Sequence, residues 1–305
     1  MNTRHAQLVL AIVREGSFTA AAKSLFITQP TLSHQIRQIE EQLGASIFVR
    51  SKTAIELTPA GQVYVQAARR ILQIETQMNE SLSALSGTSE GTLHLGLPYQ
   101  RADELLPQVL ADFYNLYPHV RIEAVTAPRQ DLERMLLGGE LDMTLISGEA
   151  ENTRLDYQLI ASDEVVLLAG KKTSLAQRIP SGSTVSLREC LGERFVLPAD
   201  SLLFSRTYDE IIAQAGLTPD IVCRTDDSQC AKRICSACSL VMLCPFITLL
   251  SDTPAMQQLA HYRLNGSSFT PLYMAHPKDM PLTPYAQTLY TMMSNRFRSM
   301  TAYRA

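Results

Sequence analysis

Between Thr28 and Gln38 the sequence TQPTLSHQIRQ gathers Thr28, Gln29, Thr31, Ser33, His34, Gln35, Arg37 and Gln38. These are short hydroxyl and amide side chains around one arginine, the chemistry of base-edge reading. Arg37 carries a planar fork that fits guanine O6 and N7. Gln29 and Gln38 match the donor–acceptor pattern of adenine, and Thr31 and Ser33 reach either base edges or phosphates. Exposed helix faces are usually just wet, but Glu and Lys, their usual residues, are absent from Phe26 to Ile39. Signatures of catalysis are missing in turn: no G-x-S-x-G elbow, no phosphate-cradling Walker loop and no H-E-x-x-H. The six histidines are scattered. No catalytic residue, metal or cofactor is assigned, and an enzyme is not expected.

Elements must carry that face. Leu8, Val9, Ala11 and Ile12 give a short amphipathic helix ending near Gly16. Ser17 or Thr19 caps a second helix, TAAAKSLF, whose alanines let neighbours approach closely. The chain turns at Ile27–Thr28, and Pro30 suits a first helical turn. A third helix is expected from about Pro30 to Leu43, stopped by Gly44. Leu32, Ile36, Ile39 and Leu43 recur at helical spacing as its buried stripe, so Thr31, Ser33, His34, Arg37 and Gln38 face away. This is a helix-turn-helix pattern, in which the start of the second helix reaches the groove. SIFVRSKTAIELT then reads as a β-wing: Ile47 with Val49 and Ile55 with Leu57 form its strands around the turn SKTA. Arg50 and Lys52 would hold phosphates beside the helix.

From Thr58–Pro59, a cap and first-turn pair, a helix is expected to run to about Leu85. Val63, Ala67, Ile71, Ile74, Met78, Leu82 and Leu85 recur along it as a heptad-like seam. At 1.5 Å per residue it spans about 40 Å, too long a stripe for one small winged unit to cover, so a partner helix is implied. SGTSEG, Ser86 to Gly91, reads as a hinge.

After Gly91 strands and helices alternate: TLHLGL, ADELLPQVLADFYNLYP, VRIEAVT, PRQDLERMLLGGE and LDMTLI form a βαβαβ unit with a parallel sheet. A second unit starts near Ser162 with EVVLLAG, ERFVLP, SRTYDEIIAQAG, DIVCRT and SLVMLCP. PLYMAH and a final helix from Pro284 to Met300 follow.

Charge fits this division. Over residues 1–58, Arg4, Arg14, Lys23, Arg37, Arg50 and Lys52 stand against Glu15, Glu40, Glu41 and Glu56, although the whole chain of 305 residues carries −3. The mildly basic end is the candidate polyanion face, and the acidic bulk would repel DNA. No apolar run approaches the roughly 18 residues that span a bilayer. The apolar patch Leu8–Val13 is too short for a secretion signal, so the expected location is the cytoplasm.

The order of alanine-rich helix, TQPTLSHQIRQIEEQLG, IFVR and LTPAG resembles the winged helix-turn-helix of LysR-type transcriptional regulators. The resemblance covers the whole chain, less specifically after residue 90, and departs a little at His34, where an alanine or glutamine would be unremarkable. It implies an α/β protein with an N-terminal winged helix-turn-helix at 1–58, a linker and dimerisation helix with hinge at 59–89, and an effector-binding region at 90–305. The last would have two lobes, about 91–161 with 267–305 and about 162–266, similar to periplasmic binding proteins. Partners implied are double-stranded DNA, a small polar or anionic effector and further copies of the chain as homodimer or homotetramer. Contact with RNA polymerase is compatible with it, and no membrane partner is. Candidate DNA contacts are Ser17, Thr19, Thr28, Gln29, Pro30, Thr31, Ser33, His34, Arg37, Gln38, Arg50 and Lys52.

Ligands of open α/β sheets lie beyond the carboxyl ends of strands. That rule nominates the loops PYQR, SGE, PADSLLFS and TDDSQ, which the resemblance makes converge between the lobes. Arg101 is the candidate anion fork. Ser147 and Ser201 are hydroxyl donors, Tyr99 and Phe204 apolar walls, and Pro98 and Gln100 neighbours in the first loop. Asp226 and Asp227 would favour a cation or polar neutral ligand, unless one caps the helix starting near Ser228. Five of six cysteines fall between Cys223 and Cys244. Cys235 and Cys238 form C-x-x-C, a weak signal alone. Lys232 and Arg233 could lower a neighbouring thiol pKa, which makes a cysteine-based redox regulator of the same fold the alternative reading. The family's glycine-bearing turn is replaced here by ACSLVMLCPF.

Overall fold

Three short helices open the chain. Asn2 caps α1 (Thr3–Glu15) and Gly16 ends it at φ 63°; Ser17 caps α2 (Phe18–Ser24). Thr28 caps α3 (Gln29–Leu43), and Gly44 ends it at φ 71°. The computed structural model describes residues 2–49, 55–85, 90–199, 203–225, 227–250, 253–266 and 269–302. Leu32, Ile36 and Ile39 of α3 are buried against Leu8, Val9 and Ile12 of α1, with Ala21 and Ala22 of α2 filling the gap between them. Leu43 is 45% exposed: the stripe stops a turn short because the chain leaves the helix at Gly44. The wing is tighter than its alternation suggested. Ile47 and Phe48 are both buried whereas Val49 is 43% exposed. Glu40 Oε1 accepts the amides of Ile47 and Phe48 at 2.7 and 3.3 Å, pulling the strand onto α3. Phe48 pairs with Leu57 in an antiparallel bridge and packs edge-on against Phe18.

Helix α4 (Pro59–Leu85) follows at once. Thr58 Oγ1 donates to Ser46 O and accepts from Gly61 N at 2.9 Å, fastening the helix to the wing. A Cβ at Gly61 would collide with Ile47 O, so glycine permits this close approach. Tyr64, Val65 and Ala68 join the N-terminal core. The opposite stripe, Val63, Ile74, Met78 and Leu82, remains 54–69% exposed.

Among the described residues ten strands form one sheet. β1 (Gly91–Leu97), α5 (Tyr99–Leu116), β2 (Val120–Thr126), α6 (Arg129–Leu137) and β3 (Met143–Ser147) give the expected parallel βαβαβ unit, in the order β2-β1-β3. The 16-residue β4 (Leu155–Gly170) then runs through both lobes. After it come α7 (Ser174–Arg178), β5 (Thr184–Val185), β6 (Arg194–Pro198), α8 (Leu203–Gln214), β7 (Asp220–Thr225), α9 (Ser228–Cys238) and β8 (Val241–Pro245). α10 (Pro254–Gln257), β9 (Leu259–Leu264), β10 (Phe269–Pro277) and α11 (Pro284–Ala302) complete the chain. The full order is β2-β1-β3-β10-β4-β8-β6-β7, with β9 pairing β4 and β5. The sheet is therefore mixed: β10 returns from the second lobe and inserts antiparallel between β3 and β4, and β4 is also antiparallel to β8 and β9. In the first lobe α5 and α11 share one core with β1, β3 and β10. In the second, α8 and α9 cover opposite faces.

The turn lacking glycine closes without one. Ser239 takes the left-handed position at φ 52° that ends α9, and its amide donates to Cys235 O.

Candidate nucleic-acid interface and inter-lobe cleft

On α3, burial of the aliphatic stripe leaves Gln29, Pro30, Thr31, His34, Arg37 and Gln38 exposed and Ser33 half-buried. The face is pre-ordered by short bonds. Gln29 Nε2 donates to Ser33 Oγ at 2.8 Å, Thr28 and Thr31 share a 2.8 Å hydroxyl contact, and Arg37 Nε reaches Ser33 O at 3.4 Å. Ser17 and Thr28 have structural duties as helix caps; Thr19 is exposed on α2. Arg50 and Lys52 lie outside the described residues.

The second site is set by strand register. β3 ends at Ser147, level with Leu272, which pairs with Ala161 of β4. β8, running the other way, ends at Pro245 opposite Val165. Two carboxyl ends thus point at each other along β4, four residues or about 13 Å apart. Pro98 caps α5, and Tyr99 beside it is 59% exposed. Pro198 and Thr225 end paired strands of the other lobe. Asp227 does what its position allowed: its side chain accepts Gln229 N and Cys230 N at 2.8 and 3.1 Å as the cap of α9. Ser201, Asp226 and the side chains of Gln100 and Phe204 lie outside the described residues.

Arg101 is 1% exposed, and its Nη1 donates to Asp163 Oδ2 at 2.8 Å. The fork offered to a ligand from sequence is engaged by a buried carboxylate 62 residues away, a partner no local pattern reveals. Around this pair, Ser147 Oγ, Asp163 Oδ1 and Thr270 Oγ1 are buried with no hydrogen-bond partner among the described residues. Thr270 of β10 lies opposite Asp163 of β4, and Ser147 of β3 lies opposite Leu272, two residues further along β10. Asp163 and Thr270 escaped the sequence reading because both sit mid-strand, not in loops. Arg129 was also missed. Its guanidinium donates to Ser147 O and Glu149 O at 3.1 and 2.6 Å and shapes the loop after β3.

A third constellation joins α4 to the first lobe. Arg69 pairs with Glu140. Gln73 Nε2 donates to Asp142 Oδ1 at 2.8 Å, and Asp142 Oδ2 accepts His94 N at 2.8 Å. The hydrogen bond to Asp142 raises the His94 pKa against the opposing effect of burial. Burial raises that of Glu80, beside Tyr285.

The cysteines are free. Burial pushes the thiols of Cys190 and Cys235 up to about 12. Lys232, offered from sequence as a thiol activator, is itself fully buried. Cys230 and Cys238 are exposed. Among the described residues no group of His, Cys, Asp and Glu could hold a metal ion, and no helix is long and apolar enough to cross a membrane.

Comparison with known proteins places both regions. Residues 3–62 match the bacterial regulatory helix-turn-helix protein, lysR family, and residues 86–298 match the LysR substrate binding domain. The HTH-type transcriptional regulator GltR of Bacillus subtilis is 27% identical, with 98% of each chain covered. A full-length OxyR variant from Pseudomonas aeruginosa superposes with a TM-score of 0.76 at 20% identity, covering 96% of this chain and 94% of that one. Full-length CbnR, solved in complex with its target DNA, gives 0.66 at 22% identity, covering 97% and 99%.

Proposed function

Because the chain belongs to the LysR family of bacterial transcriptional regulators, we propose that it reads operator DNA with α3 helices presented in pairs. Residues 1–58 form the reading head, 59–89 the pairing helix and hinge, and 90–305 the effector-binding region. Gln29, Thr31, Ser33, His34, Arg37 and Gln38 contact base edges. Ser17, Thr19, Thr28, Pro30, Arg50 and Lys52 position the head on the backbone. The observation that carries this reading is the exposed polar face of α3 from Gln29 to Gln38, a stretch free of acidic side chains, on the same chain as an exposed apolar stripe on α4.

The effector is a small polar molecule held between the lobes, recognised by Ser147, Asp163 and Thr270 with Tyr99 at the rim. A ligand that prefers one closure of the lobes biases the placement of the paired heads, and with it the spacing and bend of bound DNA. The chain acts in the cytoplasm, as a dimer or a dimer of dimers, and has no catalytic activity of its own. A thiol-based signal through Cys235 is disfavoured by the burial that raises its pKa.

Selection of duplexes from a random pool, followed by anisotropy titration with and without metabolite pools, tests the proposal. A selected near-palindrome is expected, with affinity or footprint shifted by a small molecule. Equal affinity for selected and scrambled duplexes would overturn it.

A further inference from the structure

α2 closes in a Schellman turn: Ile27 N donates to Ala22 O at 3.0 Å and Phe26 N to Lys23 O at 3.2 Å. The residue at the left-handed position of such a turn is usually glycine, because a Cβ there meets the following carbonyl. α1 and α3 obey this with Gly16 and Gly44. α2 places Phe26 there, at φ 56°. Among the described residues only Phe26 and Ser239 have side chains at positive φ, and a bulky residue in that region is a strained outlier. Burial does not offset the strain: the ring is 96% exposed, the largest value among the exposed large apolar side chains. Its neighbours Leu25 and Ile27 pack against the N-terminal core.

Strain held without a gain inside the fold points to a gain outside it. Phe26 stands two residues before the Thr28 cap and three before Gln29, at the end of α3 that enters the groove. The one apolar group on the major-groove edge of the bases is the thymine methyl. We propose that Phe26 is a specificity residue of the DNA interface, packing its ring on a thymine 5-methyl group beside the bases read by Gln29 and Ser33. The left-handed turn holds the ring outward for that contact. This inference rests on the DNA-reading role of α3.

The test uses full-length protein, its selected duplex, and the same duplex with deoxyuridine replacing thymidine. Phe26→Gly and Phe26→Asn both remove the ring and suit the left-handed backbone. Each should melt at a higher temperature than the parent chain, bind the thymidine duplex about tenfold more weakly, and be indifferent to deoxyuridine, whereas the parent loses about tenfold on deoxyuridine. A contact confined to the ring and the methyl gives this non-additive cycle. The inference is overturned if either variant binds as tightly as the parent, if the parent ignores the missing methyls, or if both variants melt lower. Arg37→Ala is the control. If the parent binds its duplex and Arg37→Ala does not, while Phe26→Gly is unaffected, only this inference falls. If the parent binds no duplex, the reading of α3 falls with it.

Discussion

Shortening Ile74 to alanine should dismantle the paired assembly while leaving the single chain folded. Ile74 lies mid-seam on α4 and is 56% exposed. Full burial of an isoleucine is worth about 1.5–3 kcal/mol, so covering the exposed part by a partner contributes about 1–1.5 kcal/mol. A twofold axis uses every substitution twice. The dimer therefore loses about 2–3 kcal/mol, roughly a 30- to 150-fold weaker association. Alanine is the best helix former, so α4 persists. Sedimentation velocity over a dilution series reads the dissociation constant, and anisotropy on a two-half-site duplex reads the consequence. Dilution should split the variant at concentrations where the parent stays paired, with binding lost in parallel. An unchanged dissociation constant, with Val63→Ala and Met78→Ala equally silent, would refute the use of this stripe for pairing.

Gly61→Ala drives a methyl into Ile47 O and should cost about 1–3 kcal/mol, seen as a lower melting temperature of the N-terminal unit. Arg101→Met strands Asp163 as a buried unpaired charge; urea titration should show about 3–5 kcal/mol of lost stability, part of it restored by Asp163→Asn in the same chain. The raised His94 pKa means that its stabilisation is complete below the unfolded value near 6.5 and is lost as pH rises through the folded value. Melting temperature should thus fall across that window in the parent and fall less in His94→Gln. With iodoacetamide, Cys230 and Cys238 should react in the native state, whereas Cys190 and Cys235 react only on unfolding; rapid native alkylation of Cys235 would reopen the redox reading.

Local signals were legible where local physics decides. Ser17 starts a helix, Gly16 and Gly44 stop them, and Thr58–Pro59 begins α4. The aliphatic spacing on α3 gave its buried face except for Leu43. Period-two reasoning failed at the wing because Glu40 draws Ile47 and Phe48 inward together, a contact seven and eight residues long. The parallel βαβαβ unit was legible; the antiparallel insertion of β10 was not, because it pairs with strands more than a hundred residues earlier. The strand ends between the lobes were legible in part. The rule of strand ends points to Ser147 at the end of β3 and to Asp227, which caps α9; the partner of Arg101 was illegible because Asp163 lies on a strand that looks like ordinary core. The docking of α4 through Arg69 and Gln73 left no sequence signal: polar residues on an amphipathic helix do not declare which surface they meet.

Methylation protection of guanine N7 on a selected duplex tests the central idea most directly, since Arg37 is assigned to that edge. The account predicts two protected guanine clusters, their centres about 10–10.5 base pairs or a multiple of that apart, both vanishing together with Arg37→Ala. A single protected tract, or two tracts indifferent to Arg37, would contradict it.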